Sequence, residues 1–260
     1  FSKSDRRCSA ERKLNILKNI LDSLDPKFII PFASFVYFSA KDNFYMNDSI
    51  NTIDKVFSFI KKNSQTTPLI MKPNQIWDGK KNIDCLSSLK YWSDKYNLIS
   101  AKEVNESYDF QTIKLSAERY KNRIYKNNSQ LLLNLLTFVG LIPAINFYIY
   151  DIKTYCRFSF SSVKILEKFP KKDTIYFVKL KSDSIKFLFD YNFGLDTLLI
   201  NSRFYLSHKQ YLIKLKKAFI VGSLNNTGRY LLFWDLYKFL NFIFLKRCLS
   251  VLKFNKKIRP

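Results

Sequence analysis

The sequence predicts an α+β (or α/β) protein. Its 260 residues are 47% hydrophobic and 17% aromatic, enough to bury a sizeable core and too rich for a disordered chain. Along it, apolar residues recur at helical spacing in some stretches. Elsewhere they form short continuous or alternating runs that read as strands.

Residues 10–24, AERKLNILKNILDSL, put Leu14, Leu17, Ile20, Leu21 and Leu24 on one helical face, and Asp25-Pro26 stops that helix. Residues 28–38, FIIPFASFVYF, are apolar almost throughout and read as a buried strand. Pro31 marks its bulge or its edge, because proline removes a ladder donor. The polar segment 39–51, SAKDNFYMNDSIN, is a loop anchored by Phe44, Tyr45 and Met46. Helical spacing returns over 49–62 through Ile50, Ile53, Val56, Phe57 and Ile60, with Ser49 as the expected cap. The run PLIMKPNQIWDGK then reads as a strand followed by a turn.

Further helices are expected around Leu86–Tyr96 and Ile113–Tyr125. From residue 129, SQLLLNLLTFVGL is a helix, Ile142-Pro143 breaks it, and INFYIYDI alternates like a strand. TIYFVKL, residues 174–180, alternates in the same way, and SDSIKFLFDY leads into FGLDTLLINSRF, a turn between helix and strand. Residues 231–253 scatter polar positions every three to five residues among apolar ones, as in a helix with a narrow polar stripe. The expected division is 1–85, an α+β domain over 86–230, and a basic amphipathic helix with its tail over 231–260.

Net charge is +23, and after Asp196 the only acidic residue is Asp235. Such a field attracts nucleic acid, acidic lipid or an anionic substrate. A lysine-rich background in an AT-rich genome would raise Lys, Asn, Ile and Phe together and accounts for part of it. Lys246, Arg247, Lys253, Lys256, Lys257 and Arg259 are the candidates for contact with an acidic membrane surface. Nucleic acid is disfavoured as a partner, since no recognisable reading module or RNP-like aromatic motif accompanies the charge.

Catalytic motifs are scarce. Five glycines leave no G-x-G-x-x-G or G-x-x-x-x-G-K-[ST] loop. No G-x-S-x-G elbow occurs, and a single histidine, His208, leaves little choice of base. Cys8, Cys85, Cys156 and Cys248 are dispersed and read as reduced thiols, so neither a catalytic residue nor a metal ligand is assigned. The amino-terminal residues are basic and polar, unlike a secretory signal, and the expected location is cytoplasmic, peripheral to the membrane if the basic end engages lipid. The absent initiator methionine points to a truncated chain. Leu131–Tyr150 is long enough for a membrane span, but Asn134, Gly140, Pro143 and Asn146 interrupt it, which favours a helix followed by a strand.

The run KNILDSLDPKFIIPFASFVYFSAKDNFYMNDSIN, with Pro31-Phe32-Ala33 followed by Ser34 and Phe35, resembles the last helix, last strand and following loop of metallo-β-lactamase-fold hydrolases of the CMP-N-acetylneuraminate hydroxylase-like group. The resemblance continues through MKPNQIWDGKKN and returns near FDYNFGLDTLLINSRF. It covers residues 1–85 well and 130–210 weakly. It implies that the chain supplies the closing strand and helices of an αββα fold, followed by a smaller carboxy-terminal α+β domain. The parent would be a metal-dependent hydrolase or hydroxylase-like enzyme of surface-sugar metabolism, holding zinc or iron. That metal would sit in an amino-terminal half absent here, which becomes the expected partner, and the chain itself would hold no cofactor. Ser34, Asp42, Asn43, Tyr45, Asn47 and Asp48 would form the substrate rim. Ala40 departs from the pattern, standing where the hydroxylase-like sequences carry a histidine. The competing expectation is a non-catalytic basic module that binds anionic membrane or other anionic surfaces.

Overall fold

The computed structural model describes residues 2–32, 37–80, 83–165 and 177–235. The fold is α+β, in two compact units, Phe1–Val104 and Asn105–Pro260.

In the amino-terminal unit, α1 spans Lys3–Leu24. It starts a turn and more before its apolar stripe because Ser2 and Asp5 form a reciprocal capping box. Only Leu14, Leu17 and Leu21 of the expected face pack, against Val56, Ile60 and Phe59 of α2 (Ile53–Asn63), while Leu24 is largely exposed. The expected cap, Ser49, instead ends a 3-10 helix, Phe44–Ser49, and Thr52 precedes α2.

The run expected to form a long buried strand does not. Strand β1 is Phe28–Ile29 alone, paired in parallel with β2, Thr67–Pro68, of the same chain. Ile30 and Phe32 are exposed, and Ala33–Val36 lie outside the described residues. On β2 the donors toward β1 are Thr67 and Leu69, whose N–H groups reach the Lys27 and Ile29 carbonyls at 3.0 and 2.8 Å, and Pro31 leaves β1 without its next donor. The rest of PLIMKPNQIWDGK is irregular, with Leu69 and Ile70 buried. Helix α3, Cys85–Asn97, falls where the spacing predicts it.

The carboxy-terminal unit begins with α4 (Phe110–Asn127), capped by Asp109, and α5 (Gln130–Phe138), capped by Ser129. Gly140, at φ +78°, turns the chain out of α5. The long apolar run therefore divides into a nine-residue helix and strand β3, Ile145–Ile149. No helix among the described residues is long and apolar enough to cross a membrane.

Strands β4 (Thr154–Phe158), β5 (Val163–Ile165), β6 (Val178–Leu180) and β7 (Tyr205–Leu206) join β3 in one sheet of order β5-β4-β3-β6-β7. Only β3 and β6 run parallel. Between β6 and β7 lie α6 (Ser182–Asp190) and α7 (Gly194–Asn201), and after β7 come α8 (Tyr211–Ala218) and α9 (Ile220–Asn226).

Helix α7 corrects the expectation of a turn at FGLDTLLINSRF. Its eight residues bury Leu195 and Leu198, and a Cβ on Gly194 would meet the Leu188 carbonyl oxygen at 2.5 Å. Glycine is needed there for the close approach of α7 to α6. The expected helix over 231–253 lies almost wholly outside the described residues.

The core of this unit is aromatic. Tyr120, Phe158, Phe160, Phe189 and Phe219 contact one another with ring centroids 5.0 to 6.2 Å apart. Burial pushes the Cys156 thiol up to about 12, so this cysteine is a small apolar core residue rather than a nucleophile.

Candidate functional site

Period-2 alternation divides the carboxy-terminal sheet into two faces. Ile145, Phe147, Ile149, Cys156, Phe158, Val178 and Leu180 enter the core. The register then places Tyr155, Tyr148, Lys179 and Tyr205 side by side across β4, β3, β6 and β7 on the opposite face. One pair along, Lys164, Arg157 and Asn146 stand abreast across β5, β4 and β3. Those outward positions hold three cations, three tyrosines and no carboxylate.

The aromatic part of this face is ordered. Tyr148 and Tyr155 stack with centroids 4.3 Å apart and planes 18° from parallel. Phe177 meets both edge-on, at 6.1 and 5.8 Å. Lys179 lies over the Tyr150 ring at 5.4 Å. Burial, then the neighbouring Tyr148, raises the Tyr155 phenol above its ordinary value. Arg157 and Lys164 are exposed. At the same end of the sheet the Asn146 N–H donates to the Tyr211 hydroxyl at 2.9 Å, and Lys214 lies over the Tyr211 ring. Burial lowers the Lys214 pKa, and the positive charge of Arg157 lowers it further.

The expected rim residues gather around Arg6 and Phe38. Asp48 accepts two hydrogen bonds from the Arg6 Nη2 at 2.9 and 2.7 Å and has Lys3 at 3.7 Å. Hydrogen bonds from Ser49 and then Arg6 hold its carboxyl below the usual range. The Asn47 amide clamps the Phe38 backbone, accepting from its N–H at 2.8 Å and donating to its carbonyl at 2.7 Å. The Arg6 guanidinium sits 5.0 Å from the centre of the Tyr45 ring. Asn43 is buried and donates its backbone N–H to Ala40. Asp42 lies within the turn that precedes the 3-10 helix. These contacts hold the loop in shape. Ser34 and the basic cluster Lys246, Arg247, Lys253, Lys256, Lys257 and Arg259 lie outside the described residues.

A cavity of about 250 Å³ lies in the carboxy-terminal unit, between α4, the α6–α7 connection and α9. Its Arg123 already donates to the carbonyls of Asp190 at 3.0 Å and Phe189 at 2.9 Å. Among the described residues no group of three or more His, Cys, Asp and Glu side chains is placed to hold a metal. His208 is exposed, with Nδ1 accepting the Gln210 N–H at 3.3 Å.

No protein-family model matches the chain, and no curated protein matches it. One solved structure that does match is a UbiJ-SCP2 ubiquinone synthesis protein. It is 13% identical, with a TM-score of 0.28, over 42% of this chain and 95% of that one. The resemblance to metallo-β-lactamase-fold hydrolases is corrected: no model of that family or any other matches the chain. The segment that carried the resemblance agrees with the correction, since β1 has only two residues and finds its partner within the chain. At that TM-score the retrieved structure assigns neither fold nor function to this protein.

Proposed function

We propose that this chain is a non-catalytic basic module that binds a polyanionic partner through the outward face of its carboxy-terminal sheet. One observation carries the reading: Arg157, Lys164 and Lys179 share that face with tyrosines and with no acidic neighbour in the strands. Among the described residues several carboxylates elsewhere pair with cations, as in Arg6–Asp48, Lys41–Glu103, Lys186–Asp190 and Arg203–Asp183. A patch of uncompensated charge attracts a polyanion and raises its rate of encounter.

The test compares two triple variants of equal net charge on an immobilised sulfated polysaccharide. Arg157→Glu/Lys164→Glu/Lys179→Glu is expected to elute at clearly lower salt than Arg12→Glu/Lys55→Glu/Lys90→Glu, whose positions are exposed in the amino-terminal unit. Equal elution of the two would mean that net charge alone acts and that the sheet face is no binding surface.

A further inference from the structure

The sheet face is more than a charged surface, because its cations frame a stacked aromatic pair. We infer that its ligand is a single-stranded nucleic acid, with bases stacking on the ring faces that Tyr148 and Tyr155 do not turn toward each other and phosphates meeting Arg157, Lys164 and Lys179; this rests on the polyanion reading above.

Charge complementarity selects an anion, and the tyrosines select among anions. A sulfated polysaccharide or an inorganic polyphosphate has no flat apolar group to place against Tyr148, Tyr155 and Phe177. An unpaired base does, and aromatic stacking accepts any base because each has a π face. Duplexes keep their bases paired and stacked inside, so this sheet face offers them little beyond charge.

Size agrees with this choice. Neighbouring strands lie about 4.8 Å apart, so the row from Tyr155 through Tyr148 and Lys179 to Tyr205 spans roughly 14 Å, the room that two or three bases occupy on other sheet platforms. Arg157 and Lys164 stand abreast at the next positions of the same face from the stacked tyrosines, within reach of a phosphate joined to a base held there. The absence of an RNP-like motif in the sequence does not bear on this arrangement. The aromatic residues come from β3 and β4, the cations from β4, β5 and β6, and only strand pairing assembles them.

The experiment measures binding of the full chain to a labelled 15-nucleotide oligo(dT), to a duplex of the same length, and to acidic phosphatidylserine vesicles. Tyr148→Leu/Tyr155→Leu keeps the charge and an apolar sheet surface. It is expected to weaken oligo(dT) binding about tenfold or more, from the stacking lost, while retention on the sulfated polysaccharide stays as in the parent chain. Tyr148→Phe/Tyr155→Phe keeps both rings and should bind as the parent does, which separates lost stacking from a damaged fold. The Arg157/Lys164/Lys179 triple variant should flatten the dependence of log Kd on log salt by roughly 2, from about 0.7 per phosphate contact.

If the leucine and phenylalanine variants bind oligo(dT) equally, or if the duplex or the vesicles bind more tightly than the single strand, the nucleic-acid inference is overturned. The polyanion reading would survive that result. It fails separately, if the two charge-matched triple variants elute from the polysaccharide together.

Discussion

Replacing Phe158 by alanine is expected to destabilise the carboxy-terminal unit by about 3–5 kcal/mol, the usual cost of removing a buried ring from a core that cannot close over the gap. Phe158 lies on β4 at the centre of the aromatic cluster, parallel to Phe219 at 5.4 Å and 5.0 Å from Phe189. Both neighbours are themselves almost fully buried, so little can move in to refill the space. Hydrogen exchange at the β3 and β4 amides reads this unit directly and does not require the two units to unfold together. A loss under about 1 kcal/mol would show that the cluster repacks and that the sheet does not depend on it. Tyr120→Phe in the same cluster is the comparison. The Tyr120 hydroxyl is buried without a hydrogen-bond partner among the described residues, at the place where a Cβ on Gly222 would come within 2.5 Å of it. Burial raises the pKa of this phenol, which therefore stays neutral. Removing that hydroxyl while keeping the ring should leave stability unchanged or raise it, by up to about 1–3 kcal/mol.

A loss of similar size, about 3–5 kcal/mol, is expected for Asp183→Ala, which withdraws the carboxylate from the largely buried Arg203 side chain. The pair is 2.8 Å apart with side chains 9% and 15% exposed, and it ties the first turn of α6 to the segment leading into β7. Asp183 also accepts the Ser184 N–H at 2.7 Å, so the alanine removes a helix-terminal acceptor as well. Asp183→Asn keeps an oxygen for both donors and should lose clearly less. Because the pair is shielded, the difference should persist in high salt, whereas a surface pair would be screened. Urea unfolding in low and high salt checks both points. An alanine variant as stable as the parent, or a difference that salt abolishes, would mean that the pair is solvated and contributes little.

Parts of the fold were legible because they depend on near neighbours in sequence. Helices α3 and α4 follow from spacing over Leu86–Tyr96 and Ile113–Tyr125, and the switch from α5 to β3 follows from Gly140, Pro143 and the change of period. The apolar pattern of 28–38 predicts a longer strand than the two residues that pair. The run's apolar residues satisfy the pattern of a covered strand, yet the ladder is only two residues long, because Pro31 offers no further donor to its partner segment some forty residues away. Helix α7 was under-read, because eight residues with two buried leucines give little period, and packing against α6 decides their conformation.

The candidate site shows the same division. Composition by itself determined the excess of positive charge, the wealth of aromatic residues, and the lack of a phosphate-cradling glycine loop or a histidine-rich metal motif. Those are counts, and counts survive any fold. Which cations stand beside which rings was decided by tertiary structure alone. Tyr148 and Tyr155 become a stacked pair only when β3 and β4 close in their particular register. Lys179 joins that row only because the chain crosses over to lay β6 parallel to β3. A shift of one residue in either pairing would send these side chains to the core face, and it is burial of Phe147, Phe158 and Val178 that forbids the shift.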